Sequence, residues 1–229
     1  MQKLQLFLGL CAAVGFGAYL QVASQYSWIY VDNGRAEPMV VTIDGKNPVE
    51  IPPGQCKQVV CDVGERVVKV TCGSEVIFQA MKDMQKSDHW GICRKFLLNP
   101  DQTHRYGVYT VHYGKSSFLR DQFKKLLTPD GQREQDLSLE EAYRSLTGEL
   151  KLQPDESWFE ITKVDCVLTA PPESVTLPKH SSSAERDVLT RVSPEDYAVL
   201  ANAKSNQEPT EEDFVALATA VERVFDEAP

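Results

Sequence analysis

Recognisable catalytic spacings are what this sequence most lacks. It contains no Gly-x-Ser-x-Gly elbow, no phosphate-cradling glycine loop and no His-Glu-x-x-His pair, so the chemistries that depend on those spacings have no local anchor. Positive charge is scarce as well. Lys and Arg total 24 against 33 Asp and Glu, a formal net charge of -9, which repels phosphate backbones and argues against nucleic acid as a partner. Zinc knuckles are also missing. Cys56-x4-Cys61 and His89-x3-Cys93 depart from the Cys-x2-Cys pattern, so these cysteines read as small buried apolar side chains. No motif calls for a cofactor, and none is expected.

Nothing singles out an acid or a base either. His89, His104, His112 and His180 stand in no context that marks one as partner to a nucleophile, because such pairs are assembled by the fold. Asp and Glu gather at helix starts, where capping accounts for them. What is present is ordinary. Hydrophobic residues make up 42% and charged residues 25% of 229 positions, close to globular averages and far from disorder or a polytopic membrane protein.

The longest apolar stretch runs from Leu4 to Leu20, with Lys3 before it and no charged side chain until Asp32. With Gln21, Val22 and Ala23 it approaches the ~20 residues that cross a hydrocarbon layer as a helix. Val22-Ala23-Ser24 also suits a secretory cleavage site, so residues 1–24 read as a membrane anchor or a signal segment. Leu8-Gly9-Leu10-Cys11 has too large a residue before Cys11 for a lipidation box. Charge before the run and none soon after predicts N-in, C-out topology, with the body outside the cytosol. The alternative is secretion after cleavage near Ser24.

From Ser27 to Tyr113, β-branched and aromatic residues are cut at short intervals by turn pairs: Asn33-Gly34, Asp44-Gly45, Pro52-Pro53-Gly54, Gly64 and Gly73-Ser74. That is the pattern of antiparallel strands. The run Val-Thr-Ile-Asp-Gly, Ile-Pro-Pro-Gly, Val-Gly-Glu-Arg-Val-Val-Lys-Val and Cys-Gly resembles PEGA-type β-domains, small modules of bacterial envelope proteins, over about Pro38 to Gln79. Pro52-Pro53-Gly54-Gln55 stands where the module's name has Pro-Glu-Gly-Ala. The resemblance implies a β-sandwich used for adhesion or as a scaffold, with no catalytic residue to carry over.

After Lys115 the hydrophobic period lengthens to about 3.6. It predicts a helix carrying Phe118, Leu119, Phe123, Leu126 and Leu127, and a second one opened by the capping box Ser138-Leu139-Glu140-Glu141. Trp158 to Leu168 returns to strand character, with Ser174 to Leu177 as its partner or with an open edge of the first sheet beside it. Asp187 to Val192 reads as a strand. Ser193-Pro194-Glu195 starts a helix with Tyr197, Leu200 and Ala201 facing inward, and Thr210-Glu211-Glu212-Asp213 caps the last one.

Five cysteines lie outside the apolar run, an odd number that forbids complete pairing in an exported body. Cys56 and Cys72 flank Gly64. If Val63-Gly64-Glu65 is a hairpin loop, they face each other across neighbouring strands and form the expected disulfide, leaving Cys61, Cys93 and Cys166 as thiols. Trp28, Trp90 and Trp158 suit either a carbohydrate or peptide groove or a sandwich core, and Trp28 is also near enough to the apolar run to sit at a membrane interface.

The fold expected is α+β: an antiparallel β-sandwich over 25–115, helices plus a β-hairpin over 116–192 and a helical hairpin over 193–229, preceded by one hydrophobic helix within 1–24. The function expected is that of a membrane-anchored or exported, non-catalytic envelope protein that binds or scaffolds, held to the membrane by its N-terminal segment, with a protein or polysaccharide partner and no nucleic acid. The alternative is an exported enzyme with a thiol or carboxylate site assembled by the fold, favoured by a cleft that sets Cys93 or Cys166 beside a histidine.

Overall fold

The computed structural model describes residues 25–85, 94–113, 138–170 and 184–226. Among them are twelve strands in three four-stranded sheets, and three helices, an α+β protein. The chain divides into two compact units, one comprising Met1–Gln102 with Glu156–Thr162 and the other Thr103–Asp155 with Lys163–Pro229.

In the first unit, β1 (Tyr26–Asp32) pairs antiparallel with β4 (Cys56–Asp62) and parallel with β7 (Arg94–Leu98). β10 (Trp158–Ile161) closes the far side of β7. The second sheet runs β3 (Lys46–Ile51), β2 (Met39–Ile43), β5 (Gly64–Cys72), β6 (Glu75–Met84). The β2–β3 turn places Asp44 at φ 52° and Gly45 at φ 69°, the pair of positive values that a two-residue hairpin requires and that Asp-Gly supplies at low strain. Strand alternation then sorts the side chains. Ile29, Val41, Val59, Val70, Met84 and Leu98 meet in one buried cluster drawn from both sheets, each contributing roughly 2 kcal/mol of burial. Trp158 stacks on Phe96 at 5.2 Å between ring centroids, and Lys82 Nζ lies 5.3 Å from the Trp158 ring.

The expected Cys56–Cys72 disulfide is corrected by this topology. β4 and β5 are neighbours in sequence but belong to different sheets, since the chain passes from one to the other at Gly64, φ 104°. Cys56 therefore lies opposite Asp32, and Cys72 opposite Met39 and Glu75. All four described cysteines are thiols. Turn chemistry showed that the chain bends at Gly64 but carried no information about which strand receives it.

β8 (Arg105–Tyr113), expected with the first domain, is instead the centre of the second unit's sheet, so the boundary falls near residue 102 rather than 115. β8 pairs antiparallel with β12 (Ala184–Val192) over nine residues and with β9 (Lys151–Leu152), and β11 (Cys166–Val167) runs parallel to β12. Three helices share its core. In α1 (Leu139–Glu149), Ser138 and Glu141 form the anticipated reciprocal capping box. α2 (Pro194–Ser205) has Ser193 as N-cap and Pro194 in its first turn. It buries Leu200 and Ala203, while Ala201, expected inward, is exposed. α3 (Glu211–Asp226) opens on Thr210 and Asp213, which bond each other's backbone N–H. Phe214, Leu217 and Val221 join Leu146 of α1, Tyr109 of β8 and Val188 of β12 in one cluster. The C-terminal helical pair is core.

The hydrophobic run Leu4–Leu20, the helix expected over Phe118–Leu127, the strand Ser174–Leu177, and Trp90, His89, Cys93 and His180 lie outside the described residues. Among the described residues no helix is long and apolar enough to cross a membrane.

Candidate functional site

A cleft of about 430 Å³ lies in the first unit between two sheet edges, β3 and β4. The β4 wall supplies Gln58, Val59, Val60, Cys61 and Asp62. Lys46, Asn47 and Val49 of β3 face it, with Tyr26, Ile43, Asp44 and Arg66 at one end. Strand alternation explains what each side chain does. Val59 and Cys61 point into the core, so Gln58, Val60 and Asp62 fall on the outer face. Val60 is 53% exposed and Tyr26 39%.

The backbone of β4 alternates in the same way. Val63 N donates to Gln25 O at 2.8 Å and Asn33 N donates to Gln55 O at 2.9 Å. These bracket the β1–β4 ladder and fix its phase: odd-numbered residues of β4 turn their N–H and C=O toward β1. Gln58, Val60 and Asp62 therefore turn theirs away, toward the cleft. Both ends of this edge are closed by side chains. Lys57 Nζ donates to Glu50 O of β3 at 2.9 Å, and Arg66 Nε donates to Asp62 O at 3.1 Å. Arg66 is itself held by Asp44 at 3.3 Å. The opposite wall is poorer in donors, since Pro48 of β3 has no N–H and proline blunts strand edges.

The thiol in this cleft is not primed for chemistry. Burial pushes Cys61 up to about 11, against a partial lowering by Arg66, and its Sγ lies 3.7 Å from Ser27 O as a donor. The neighbouring Ser27 hydroxyl is buried with no hydrogen-bond partner. Cys56 and Cys61, five apart on one strand, project to opposite faces and cannot ligate a common ion. Among the described residues no three His, Cys, Asp or Glu side chains are grouped as metal ligands.

A second polar cluster surrounds Cys72. Asn33 Oδ1 accepts from Arg35 N at 2.9 Å, and its Nδ2 donates to Glu37 O and Ile51 O, so residues 33–37 are folded around one buried amide. Arg35 then reaches Asp101 at 3.2 Å and Glu75 at 3.4 Å. Cys72 Sγ donates to Glu37 Oε2 at 3.4 Å. Burial, and then the Glu37 carboxylate, push the Cys72 thiol up, so a proton stays on sulfur at neutral pH. This cluster ties three loops together and holds no poised nucleophile.

No family model, curated protein or solved structure matches this chain. Of the residues marked in the sequence, Cys61 lines the cleft, Cys56 lies on the outer face of the same strand, and Cys72 and Cys166 lie elsewhere. Trp28 sits on the outer face between Tyr26 and Tyr30, with Lys95 Nζ 6.0 Å from its ring, whereas Trp158 packs against the core cluster. Among the described residues no strand pairs with the outward edge of β4, a feature that went unmarked in the sequence. Its only local signal was the unbroken run from Lys57 to Asp62, free of proline and glycine.

Proposed function

We propose that this chain is a membrane-anchored or exported envelope protein that binds or scaffolds and does not catalyse. The observation that carries this reading is the cleft along β4: a strand edge with backbone groups turned outward, flanked by half-exposed Val60 and Tyr26, whose one thiol is held protonated by burial. Such a site offers hydrogen bonds and apolar contact to a partner. The two sheets of the first unit form a β-sandwich of PEGA type, a reading supported by their shared core cluster and the Asp44-Gly45 hairpin. Residues 1–24 hold the body to a membrane with its C-terminal side outside the cytosol, a placement supported by the apolar run and Lys3.

Fractionation of native membranes, followed by intact-mass measurement under non-reducing conditions, tests the proposal. An unprocessed chain in the membrane fraction, or a chain shortened near Ser24 outside the cell, is the expected result. An unprocessed chain in the soluble cytosolic fraction would overturn it.

A further inference from the structure

We infer that the open edge of β4 pairs with β4 of a second copy of this chain, antiparallel about a two-fold axis at Val60. The inference rests on reading the cleft as a binding edge and names its occupant. Three features carry it. First, the outward backbone groups belong to Gln58, Val60 and Asp62, a phase fixed by the Val63–Gln25 and Asn33–Gln55 hydrogen bonds. A new antiparallel strand must place its own outward residues opposite these. Second, the segment is self-complementary in the register centred on Val60. With Val60 opposite Val60 of the partner subunit, Gln58 faces Asp62 of the partner subunit on both sides of the axis. The amide then donates to the carboxylate, the exposed valines cover each other, and the two Asp62 side chains stay apart. A shift that centres the axis on Asp62 sets carboxylate against carboxylate, which is unfavourable across strands. Third, β3 is the poorer acceptor, because Pro48 lacks an N–H.

The Arg66 contact to Asp62 O does not block this ladder, since a carbonyl has two lone pairs and accepts a second bond. Pairing turns the sheet β10-β7-β1-β4 into one of eight strands. It removes an exposed edge, a hazard that proteins otherwise manage with proline, lysine or a cover. The arrangement is isologous, so a two-fold dimer closes and does not propagate.

Sedimentation velocity on the full chain in detergent tests this across a concentration series, comparing wild type with Val60→Lys, Gln58→Lys and Gln58→Glu. Val60 and Gln58 are exposed, so the variants keep the fold, checked by circular dichroism. A wild-type dimer is expected. Val60→Lys sets two ammonium groups together and raises the dissociation constant by about tenfold or more. Gln58→Lys, facing Asp62 of the partner subunit, leaves it equal or tighter, and Gln58→Glu weakens it. A wild-type chain that stays monomeric to about 100 μM overturns the pairing, whether or not the edge holds another protein. So does a dimer that Val60→Lys leaves intact, which would place association in another segment. The broader binding reading fails separately, by the fractionation result.

Discussion

Cys61 and Cys72 are the residues whose environments speak most directly to chemistry. Both thiols are buried, Cys61 is raised to about 11 and Cys72 is raised by burial and Glu37. In the folded protein at neutral pH both should therefore alkylate far more slowly than an ordinary exposed thiol, because the thiolate is the reacting form. Mass-mapped iodoacetamide labelling checks this, and rapid modification of either in the native state would restore the case for a thiol enzyme. The helix caps make a second residue-scale prediction. Hydrogen bonds from the Ser138 hydroxyl and backbone lower Glu141, and those from Thr210 lower Asp213. With folded values below unfolded ones, these caps stabilise at neutral pH and lose that contribution as pH falls through the folded values. Ser138→Ala should move the Glu141 midpoint up toward the ordinary carboxylate range in a carboxyl-carbon NMR titration; an unmoved midpoint would contradict the cap. Both caps were legible in the sequence as Ser-x-x-Glu and Thr-x-x-Asp, since all the groups involved lie within three residues. The Asn33–Arg35–Glu37–Cys72 cluster was not, because its partners are up to 66 residues apart.

At the scale of elements, β8 and α1 meet where Gly107 faces Leu150. A Cβ on Gly107 would lie 2.8 Å from Leu150 Cγ and Cδ1, and Leu150 is only 2% exposed, so the leucine has nowhere to turn. Gly107→Ala should cost about 1–3 kcal/mol through overpacking, read from chemical denaturation. Adding Leu150→Ala should recover part of that cost, a non-additivity expected of touching residues. Strict additivity would show that the two do not meet. Strand positions and hairpin turns were readable from alternation and turn residues, and α1, α2 and α3 from their caps and stripes. Pairing partners were not. β4 and β5 look like a hairpin around Gly64, yet each finds its neighbours elsewhere, because alternation defines faces and says nothing about which sheet a strand enters. Of the inward set expected for α2, Leu200 is buried and Tyr197 packs on the core, but Ala201 is exposed, and Asp196, a polar residue, is buried beneath Arg223, which donates to it from α3. The buried stripe thus takes in Ala203 in place of Ala201.

For the whole molecule, the main departure from the sequence pattern is how the chain shares its strands. Trp158–Ile161 leaves the second unit to complete the first unit's sheet beside β7, an option the strand-like run Trp158 to Leu168 allowed. Only five residues later Cys166–Val167 pairs with β12 in the other unit. Such an excursion has no compositional marker, since both short strands carry the same β-branched and aromatic character. A body rich in strands and acidic overall, with a buried and protonated thiol in its cleft, follows an apolar N-terminal run and, among the described residues, leaves β4 at the edge of its sheet. The most direct test is topological. Ser74 occupies an exposed turn between β5 and β6, and Ser74→Cys provides a reporter thiol whose signal is read against wild type. Treating intact cells with a membrane-impermeant maleimide should label the Ser74→Cys chain to the same extent as after lysis, the result that the proposed placement of the body outside the cytosol predicts. Labelling that appears only after lysis would place the body inside and contradict the account.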